Sequence, residues 1–336
     1  MQKLIARHLY RRSLISYLML PWAGLNWLVQ KLRRRLPRTQ YRSAARIISV
    51  GNIVSGGSGK TPTTIYLAKL LQAAGKSVAV SHRGYKGKFE ANPTLLSDRD
   101  RVFDFAAQAG DEAYLLADKL AGIPVIAGKN RVAAIKILQQ QFPGLQYIIL
   151  DDSFQHLRVK HDYDIIVFNA LGQIGNGWLL PAGILREPLS ALKYADQIIY
   201  NGAGELPKFL KEQDLPSARA HYKISRFRDA KGKTLSIPTL QNSKIALLSA
   251  IGVPQSFAAT IHNCGLAFQQ HFAFADHDDF SDLAKLHKIA EQKFDFIIIT
   301  EKDWAKLKFI SHNLPIVVAE SEFEIENLEL ENILSL

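Results

Sequence analysis

Short apolar runs alternate with helix-like segments along most of the chain. Runs of strand length lie at 46–52, 77–81, 124–127, 147–150, 164–168 and 197–200, and helical segments lie at 63–72, 111–121 and 131–140. Runs that are apolar throughout are typical of strands buried on both faces. Strands that alternate with helices predict an α/β fold, built on a parallel, doubly wound sheet with helices on both faces.

A second, smaller α/β pattern follows. Its strands are predicted at 244–249, 267–272, 294–300 and 316–319, and its helices at 255–262 and 281–293. The stretch before it is polar and basic, and residues 218–225 there could pair with a later strand as a hairpin. We therefore predict four parts, namely an N-terminal segment (1–43), a larger α/β domain (44–205), a linker with a hairpin (206–240) and a C-terminal α/β domain (241–336).

The N-terminal segment combines an apolar run with unopposed positive charge. Residues 14–29 are almost wholly apolar and include Tyr17, Trp22 and Trp27. The formal net charge of the chain is +11, and no acidic residue precedes residue 50. The run is shorter than the roughly 20 residues of a spanning helix. We expect a helix that lies in the membrane interface with its arginines on anionic lipid. The alternative is a helix docked on the core with a solvated basic end.

A glycine-rich loop follows the first strand of the larger domain. The sequence from Ser49 to Pro62 has the order of a P-loop: strand, glycines, Gly-Lys-Thr, helix. Glycines let main-chain N–H groups converge on phosphate oxygens. We expect Lys60 to reach the β- and γ-phosphates of a nucleotide and the Thr61 hydroxyl to ligate Mg²⁺. The predicted nucleotide-binding residues are Val54, Ser55, Gly56, Gly57, Ser58, Gly59, Lys60 and Thr61. Val54 stands where the strict motif has glycine, and a simple glycine-rich turn is the alternative.

Two aspartates end the apolar run at 147–150. A carboxylate at the end of a strand downstream of a P-loop is the usual organiser of Mg²⁺. Asp151 and Asp152 are therefore candidate metal ligands alongside Thr61. Taken without the P-loop, such a pair would be an ordinary start of a loop.

Charged residues in three further loops could contribute to the same site. Asp111 and His277 could meet as a base and its orienting partner, although a helix N-cap and a surface residue are the ordinary alternatives. Arg186 and Glu187 lie in a loop constrained by Pro and Gly, where they could serve phosphate and metal or pair with each other. Arg83 lies in a basic loop that could hold an anionic substrate.

Together these segments resemble the tetraacyldisaccharide 4'-kinase (lipid A 4'-kinase) family. The matching pieces follow the family's order along nearly the whole chain: Val50-Gly-Asn-Ile, Gly56-Gly-Ser-Gly-Lys-Thr-Pro62, Arg83-Gly-Tyr85, Gly110-Asp-Glu112, Asp151-Asp-Ser-Phe-Gln-His156, Leu180-Pro-Ala-Gly with Leu185-Arg-Glu-Pro188, Asp276-His277 and Thr300-Glu-Lys-Asp303. That family's loop similarly lacks the glycine replaced by Val54.

The resemblance implies a P-loop kinase core over residues 44–205, with ATP and Mg²⁺ as cofactors. The enzyme would transfer the γ-phosphate of ATP to the 4'-hydroxyl of a tetraacyldisaccharide 1-phosphate, an acylated glucosamine disaccharide, in lipid A biosynthesis. We expect a monomer at the cytoplasmic face of the bacterial inner membrane, peripheral or monotopic, that contacts anionic lipid and no nucleic acid.

The family's residue roles carry over by position. Asp111 would activate the acceptor hydroxyl with His277 as its partner, and Lys60 would hold phosphate. The residues around Mg²⁺ would be Thr61, Asp151, Asp152 and Glu187. The substrate-binding residues would be Arg83, Tyr85, Gln155, His156 and Arg186.

Three positions depart from the family's usual pattern. The family usually has glycine in place of Ser153, serine in place of His82, and often an aromatic residue or a second histidine in place of Asp278. These differences concern the substrate loops and leave the phosphoryl-transfer residues intact.

Two other functions fit parts of the pattern. One is a P-loop NTPase that acts as a switch or assembly factor with a protein or nucleic-acid partner. The basic residues surround an apolar, Trp-containing run, which argues against nucleic acid. The other is a non-catalytic membrane-binding module, which would have a degenerate nucleotide site, whereas Lys60, Thr61 and the aspartate pair are all present. The single cysteine, Cys264, excludes an intramolecular disulfide and suits a reducing compartment.

Overall fold

The computed structural model describes residues 8–36, 39–85, 87–275 and 278–336. Contacts divide the chain into two units, which we call the large unit (1–220 with 325–336) and the small unit (221–324). The domain limits drawn from the sequence rest on motifs and composition rather than on contacts, and they stay a prediction.

The large unit is built on a parallel sheet. Its strands are β1 (Arg46–Gly51), β2 (Val78–His82), β3 (Thr94–Ser97), β4 (Val125–Ala127), β5 (Tyr147–Asp151), β6 (Tyr163–Asn169), β7 (Gln197–Asn201) and the start of β8 (Ser217–Asp229). They pair in the order β3-β4-β2-β5-β1-β6-β7-β8. All of these pairs are parallel except β3 with β4. The parallel sheet predicted from the sequence is therefore confirmed, and β3 is an additional edge strand that the sequence did not indicate.

The described helices are α1 (Leu14–Leu18), α2 (Leu20–Arg35), α3 (Lys60–Ala73), α4 (Asp111–Lys119), α5 (Arg131–Gln141), α6 (Lys208–Lys211), α7 (Ile237–Gln241), α8 (Pro254–Asn263), α9 (Leu283–Ala290), α10 (Glu301–Leu307) and α11 (Leu330–Leu334). Five of the described helices, α3, α4, α5, α8 and α9, lie where the sequence predicts them, with ends that differ by at most three residues. Helix α5 begins where expected because the Asn130 side chain accepts a hydrogen bond from the Ala133 N–H and so caps the helix.

The central strands of the large unit are buried along their whole length. β2 and β5 are buried at every residue, as continuous apolar runs predict. On one side, Ala134 and Leu138 of α5 pack with Ile47 and Ile148 of the sheet in one core cluster. This packing holds the carboxyl ends of β1, β2 and β5 in fixed positions.

The N-terminal apolar run forms two helices rather than one. α1 is followed by α2, and Pro21 lies in the first turn of α2, where a proline is tolerated. Ala23 is buried, and Met19 and Leu20 pack against a core cluster of the large unit. The other face is apolar and exposed, with Leu14 at 76% exposure. The core-docking alternative thus describes the face that carries Ala23, and membrane contact by the exposed face stays a prediction. Among the described helices, none combines the length and apolar character needed to cross a bilayer.

The small unit contains its own set of parallel strands. β10 (Ile245–Ser249), β11 (Gln270–Ala273), β12 (Phe296–Thr300) and β13 (Ile316–Glu326) pair in the order β11-β10-β12-β13, and these pairs are parallel. The predicted second α/β pattern is therefore confirmed.

The hairpin predicted within residues 206–240 uses other residues than expected. Phe227 and Arg228 of β8 pair antiparallel with β9 (Thr234–Leu235). The residues predicted for the hairpin, 218–225, lie within β8, but the antiparallel pairs form further along this strand, and its start, Ser217–Ala220, pairs in parallel with β7. Alternate side chains there, Ala218 and Ala220, are fully buried, so this stretch is a sheet strand rather than an exposed hairpin arm.

Candidate active site

The glycine-rich loop connects β1 to α3 and enters the helix at a glycine in the left-handed conformation. Gly59 is the N-cap of α3 and has φ +97°. A Cβ on Gly59 would lie 2.5 Å from Asn201 Nδ2, so both the conformation and the space require glycine. Helix α3 begins at Lys60, whereas the sequence predicted a start at 63, because Gly59 turns the chain directly into the helix. The first-turn N–H groups of α3 are thereby available to an anion.

Three asparagines support the loop from the ends of neighbouring strands. Asn52 donates to Ser58 Oγ at 3.0 Å, Asn169 to the Gly57 carbonyl at 3.2 Å, and Asn201 to the Ser58 carbonyl at 3.2 Å. The sequence analysis missed these residues. Each directly follows or ends a parallel strand, which is the signal that could have found them, because the carboxyl ends of such strands carry ligand sites.

The first residues of the loop are anchored to the chain around Ile184. Val54 forms an isolated antiparallel bridge with Leu185, and the Ser55 N–H donates to the Ile184 carbonyl at 2.8 Å. The Val54 side chain is buried in the core. This packing explains why an apolar side chain can stand where the strict P-loop motif has glycine.

Both aspartates at the end of β5 lie beside the loop. Asp151 accepts hydrogen bonds from the Thr61 hydroxyl at 3.3 Å and the Thr64 hydroxyl at 3.2 Å. Asp152 lies 3.7 Å from Lys60 Nζ and 3.0 Å from Arg186 Nη1. The structure therefore brings together five of the residues singled out from sequence, from three separate segments.

The two aspartates have opposite electrostatic environments. Burial raises the pKa of Asp151, and the nearby His82 and Lys60 only partly oppose this effect. Burial also acts to raise the pKa of Asp152, but Lys60 and Arg186 outweigh it and hold that pKa below its usual value. Asp152 is thus ionised at neutral pH. A cation placed next to Asp151 would stabilise the ionised form of that carboxylate.

The oxygen donors here fit Mg²⁺. The Thr61 hydroxyl and the carboxylates of Asp151 and Asp152 are hard ligands of the kind that Mg²⁺ takes together with substrate phosphates. Within the described part of the chain, no three Asp, Glu, His or Cys side chains converge as a metal cluster. A site completed by phosphate oxygens does not need such a cluster.

Arg186 and Glu187 do not pair with each other, so that alternative is wrong. Arg186 contacts Asp152, as above. Glu187 is 2% exposed and is paired with Arg34 of α2, whose Nε lies 2.6 Å from Glu187 Oε2. The Arg34 guanidinium also lies over the rings of Phe154 and Tyr194 at 4.4 and 4.7 Å. This pair ties α2 to the loop that carries Arg186, and metal ligation by Glu187 stays a prediction.

Asp111 is the first residue of α4, and its role as a base stays a prediction. The N-cap of α4 is Gly110, with φ +93°, so the alternative that Asp111 caps the helix is wrong. His277 lies outside the described residues, and its pairing with Asp111 is likewise a prediction. The neighbour of Asp111, Glu112, approaches His82.

Two further residues at the site were not predicted to act there. His82, at the end of β2, lies 3.4 Å from Glu112 Oε2 and 3.8 Å from Asp151 Oδ2. Arg131 donates to the Asp151 carbonyl and the Ser81 hydroxyl. Burial lowers the pKa of Arg131 to about 10, so its guanidinium remains charged at neutral pH. His82 ends a strand and Arg131 begins a helix. Such positions are only a weak sign of a functional residue in the sequence, and the contacts with Asp151 are visible only in the folded structure.

A cationic cavity of about 670 Å³ opens beside Asp152. Its lining residues are Arg33, Arg83, Ala91, Lys129, Asn130, Arg131, Asp152, Gln155, His156, Leu157, Arg158 and Arg186. Four of the five predicted substrate-binding residues lie in this set. The fifth, Tyr85, is exposed, and its ring lies 5.5 Å from the Arg83 guanidinium.

Two residues of the cavity wall carry buried polar atoms without a hydrogen-bond partner. Among the described residues, Gln155 Oε1 and His156 Nε2 have no hydrogen-bond partner. Burial, with the charge of Arg131, lowers the pKa of His156 to about 4, so its imidazole is neutral at physiological pH. A buried polar atom without a partner is costly, and a bound polar ligand would remove that cost.

A P-loop whose lysine and threonine lie beside two aspartates, next to a cationic cavity, is the arrangement of a P-loop kinase. The model of the LpxK family, tetraacyldisaccharide-1-P 4'-kinase, matches residues 15–335. The chain therefore belongs to the tetraacyldisaccharide 4'-kinase family.

Two relatives with the same enzyme name are similar to this chain along most of their length. The chain is 34% identical to the tetraacyldisaccharide 4'-kinase of Halothermothrix orenii, over 84% of this chain and 81% of that protein. It is 35% identical to the enzyme of the same name from Pasteurella multocida, over 95% of this chain and 94% of that protein.

A solved structure gives the same fold. The crystal structure of LpxK from Aquifex aeolicus in complex with ATP superposes with a TM-score of 0.73 at 25% identity, covering 96% of this chain and 98% of that one. The predicted α/β fold of P-loop type and the predicted kinase class are thus confirmed. The alternative of a switch or assembly factor is not favoured.

Proposed function

We propose that this protein transfers the γ-phosphate of ATP to the 4'-hydroxyl of a tetraacyldisaccharide 1-phosphate, a step of lipid A biosynthesis. The observation that carries the proposal is the position of Asp152, which contacts Lys60 of the P-loop and also lines the cationic cavity. The nucleotide and acceptor sites therefore adjoin. The relatives' names specify the acceptor, and the Aquifex aeolicus relative binds ATP.

The nucleotide would be held by main-chain N–H groups of the loop and by the Lys60 ammonium. Thr61, Asp151 and Asp152 would hold Mg²⁺, which when bound neutralises charge on the β- and γ-phosphates. Arg186, fixed by Asp152, would lie beside the transferred group. Phosphoryl transfer needs mainly such positioning and charge stabilisation.

The acceptor hydroxyl would lose its proton to Asp111 as the 4'-oxygen bonds to the γ-phosphorus. The bond between that phosphorus and the β–γ bridging oxygen breaks, and ADP leaves. His277 would orient Asp111 and stabilise it in its protonated form. The acidic acceptor would be attracted by the excess of arginine and lysine side chains in the cavity wall.

The exposed apolar face of α1 and α2 would dock on the membrane that contains the acceptor's acyl chains. Its most exposed large side chains are Leu14, Leu18 and Trp22, at 76%, 64% and 61%. Exposed arginines lie at both ends of these helices, Arg11 and Arg12 before α1 and Arg35 in the last turn of α2. Apolar area beside basic residues fits an interfacial helix on anionic lipid. We propose that the protein acts there as a monomer, at the cytoplasmic face of the inner membrane, as the family resemblance implies.

Product analysis tests the proposed reaction. The purified protein is incubated with ATP, Mg²⁺ and tetraacyldisaccharide 1-phosphate in mixed micelles, and the lipid is examined by mass spectrometry. We expect the mass to rise by one phosphate, with fragments that place it on the 4'-position. ATP hydrolysis with an unmodified lipid would contradict the proposal.

Vesicle binding tests the membrane contact. The triple variant Leu14→Ser, Leu18→Ser, Trp22→Ser should bind vesicles of phosphatidylethanolamine and phosphatidylglycerol at least about tenfold more weakly, because each apolar side chain contributes to insertion. Phe309→Ser, which removes an equally exposed apolar side chain from the small unit, should bind as the parent does in the same sedimentation assay. Equal binding by the triple variant and the parent would remove α1 and α2 as the docking surface.

A further inference from the structure

His82 ends β2 at a point where two carboxylates come together. Its imidazole is buried, at 3% exposure. Its Nε2 lies 3.4 Å from Glu112 Oε2, in the first turn of α4, and 3.8 Å from Asp151 Oδ2, at the end of β5. One ring nitrogen therefore faces two elements that carry other site residues.

The second ring nitrogen of His82 fixes which tautomer is present. The Gly84 main-chain N–H donates to His82 Nδ1 at 2.9 Å. A ring nitrogen that accepts a hydrogen bond carries no proton, so the proton of the neutral imidazole is on Nε2. The backbone after β2 thus directs an N–H donor toward Asp151 and Glu112.

The carboxylates of Asp151 and Glu112 both lie near this N–H group, but their environments differ. Asp151 is almost fully buried, and a buried carboxylate depends on hydrogen bonds and nearby cations. Glu112 is 68% exposed and would otherwise be free to rotate into solvent. The His82 imidazole, 3.4 Å away, is the main cause that lowers the pKa of Glu112, so this carboxylate is ionised.

We propose that His82 is a positioning residue of the phosphoryl-transfer site, whose Nε2–H lies between the carboxylates of Asp151 and Glu112 and so keeps the end of β5 and the first turn of α4 at a fixed separation. That turn begins with Asp111, so one imidazole links the metal side of the site to the residue beside the acceptor hydroxyl. The inference rests on the proposed function for the catalytic roles of the groups that His82 positions. The contacts of His82 with those groups do not depend on which acceptor is bound.

Nucleotide binding with and without metal tests this role directly. Calorimetry compares ATP binding in Mg²⁺ with ATP binding in EDTA for the parent, His82→Phe and His82→Gln. His82→Phe should weaken binding of ATP–Mg²⁺ about 10–100-fold, as loss of a partner of a metal ligand typically does. Binding of ATP in EDTA should stay within about threefold of the parent, because the P-loop amides and Lys60 are untouched.

The glutamine variant and a control separate positioning from packing. His82→Gln keeps an N–H donor near the Nε2 position and should recover most of the Mg²⁺-dependent affinity. His161→Gln removes another buried histidine that pairs with an aspartate, Asp164, at 2.9 Å, and should bind ATP–Mg²⁺ as the parent does. A general packing effect would instead impair both phenylalanine and glutamine variants alike.

Nitrogen-15 NMR of the histidine rings gives a readout that needs no activity and no lipid. The His82 signals, assigned by their loss in His82→Gln, should show the Nε2–H tautomer in the parent protein. An Nδ1–H tautomer, or unchanged ATP–Mg²⁺ affinity in both His82 variants, would overturn the proposal. If His82→Phe fails to fold, His82→Gln and the tautomer still decide. Failure of the parent to phosphorylate lipid would count against the proposed function and leave these two readouts unaffected.

Discussion

Asp111→Asn should lower kcat by about 10²–10⁴-fold, the range that a general base contributes. The amide keeps the size of the side chain but cannot accept the proton of the acceptor hydroxyl. Asp111 is exposed at the start of α4, so we expect its replacement to change the free energy of unfolding by only about 0.5 kcal/mol. Initial rates at saturating ATP and lipid acceptor give kcat, and ATP titration gives the nucleotide affinity, which should be unchanged.

Asp118→Asn is the matched control, because Asp118 is another exposed aspartate of the same helix. It should retain the parent's kcat. A parent-like kcat for Asp111→Asn would exclude Asp111 as the base and move the search to Glu112, the next residue of that turn.

Arg34→Met should lower the free energy of unfolding by about 3–5 kcal/mol, because it leaves a buried carboxylate without its partner. Glu187 is 2% exposed and lies 2.6 Å from Arg34 Nε. Methionine preserves much of the packing over Phe154 and Tyr194 but supplies no charge. Urea unfolding followed by circular dichroism measures the loss.

Two further variants test the cause of that loss. Arg35→Met removes an exposed arginine from the same turn of α2 and should change stability by less than about 0.5 kcal/mol. The double variant Arg34→Met, Glu187→Met should recover much of the stability, since neither charge is then buried alone. A double variant that is less stable than Arg34→Met would show that the arginine acts through packing instead.

The sequence predicted the parts of the site whose residues are neighbours along the chain. β1, the P-loop and α3 are contiguous, so glycine spacing and the Gly-Lys-Thr triplet identify them without knowledge of the fold. Asp151 and Asp152 follow a run that is apolar because β5 is buried on both faces. These features depend on neighbours along the chain, and the structure confirms that they meet.

The parts that the sequence did not reveal depend on distant segments. Asn169 and Asn201 support the P-loop only because β6 and β7 lie next to β1 in the sheet. The partner of Glu187 comes from α2, more than a hundred residues away, so the local alternative of a pair with Arg186 was wrong. His82 could be noted as unusual for the family, but its two carboxylate contacts exist only in the folded chain.

The predicted limits of strands were wrong where pairing with a distant strand, and not the local sequence, determines the structure. Residues 218–220 carry turn-like, polar surroundings, yet Ala218 and Ala220 complete the sheet beside β7. The four residues of β3 are too few to give a periodic signal, and they form a strand only by pairing with β4. In both cases the sheet provides hydrogen bonds that the local sequence does not specify.

The central claim is that the main-chain amides of the loop, Lys60 and a bound Mg²⁺ together hold the triphosphate. The most direct measurement is transfer of γ-³²P from ATP to the lipid acceptor by the parent and by Lys60→Ala, with ATP–Mg²⁺ affinity measured on the same preparations. We expect that the variant folds, binds ATP–Mg²⁺ more weakly and transfers phosphate about 10²–10³-fold more slowly, as when a positioned cation is removed. A Lys60→Ala protein that binds nucleotide as tightly and labels the lipid as fast as the parent would contradict it.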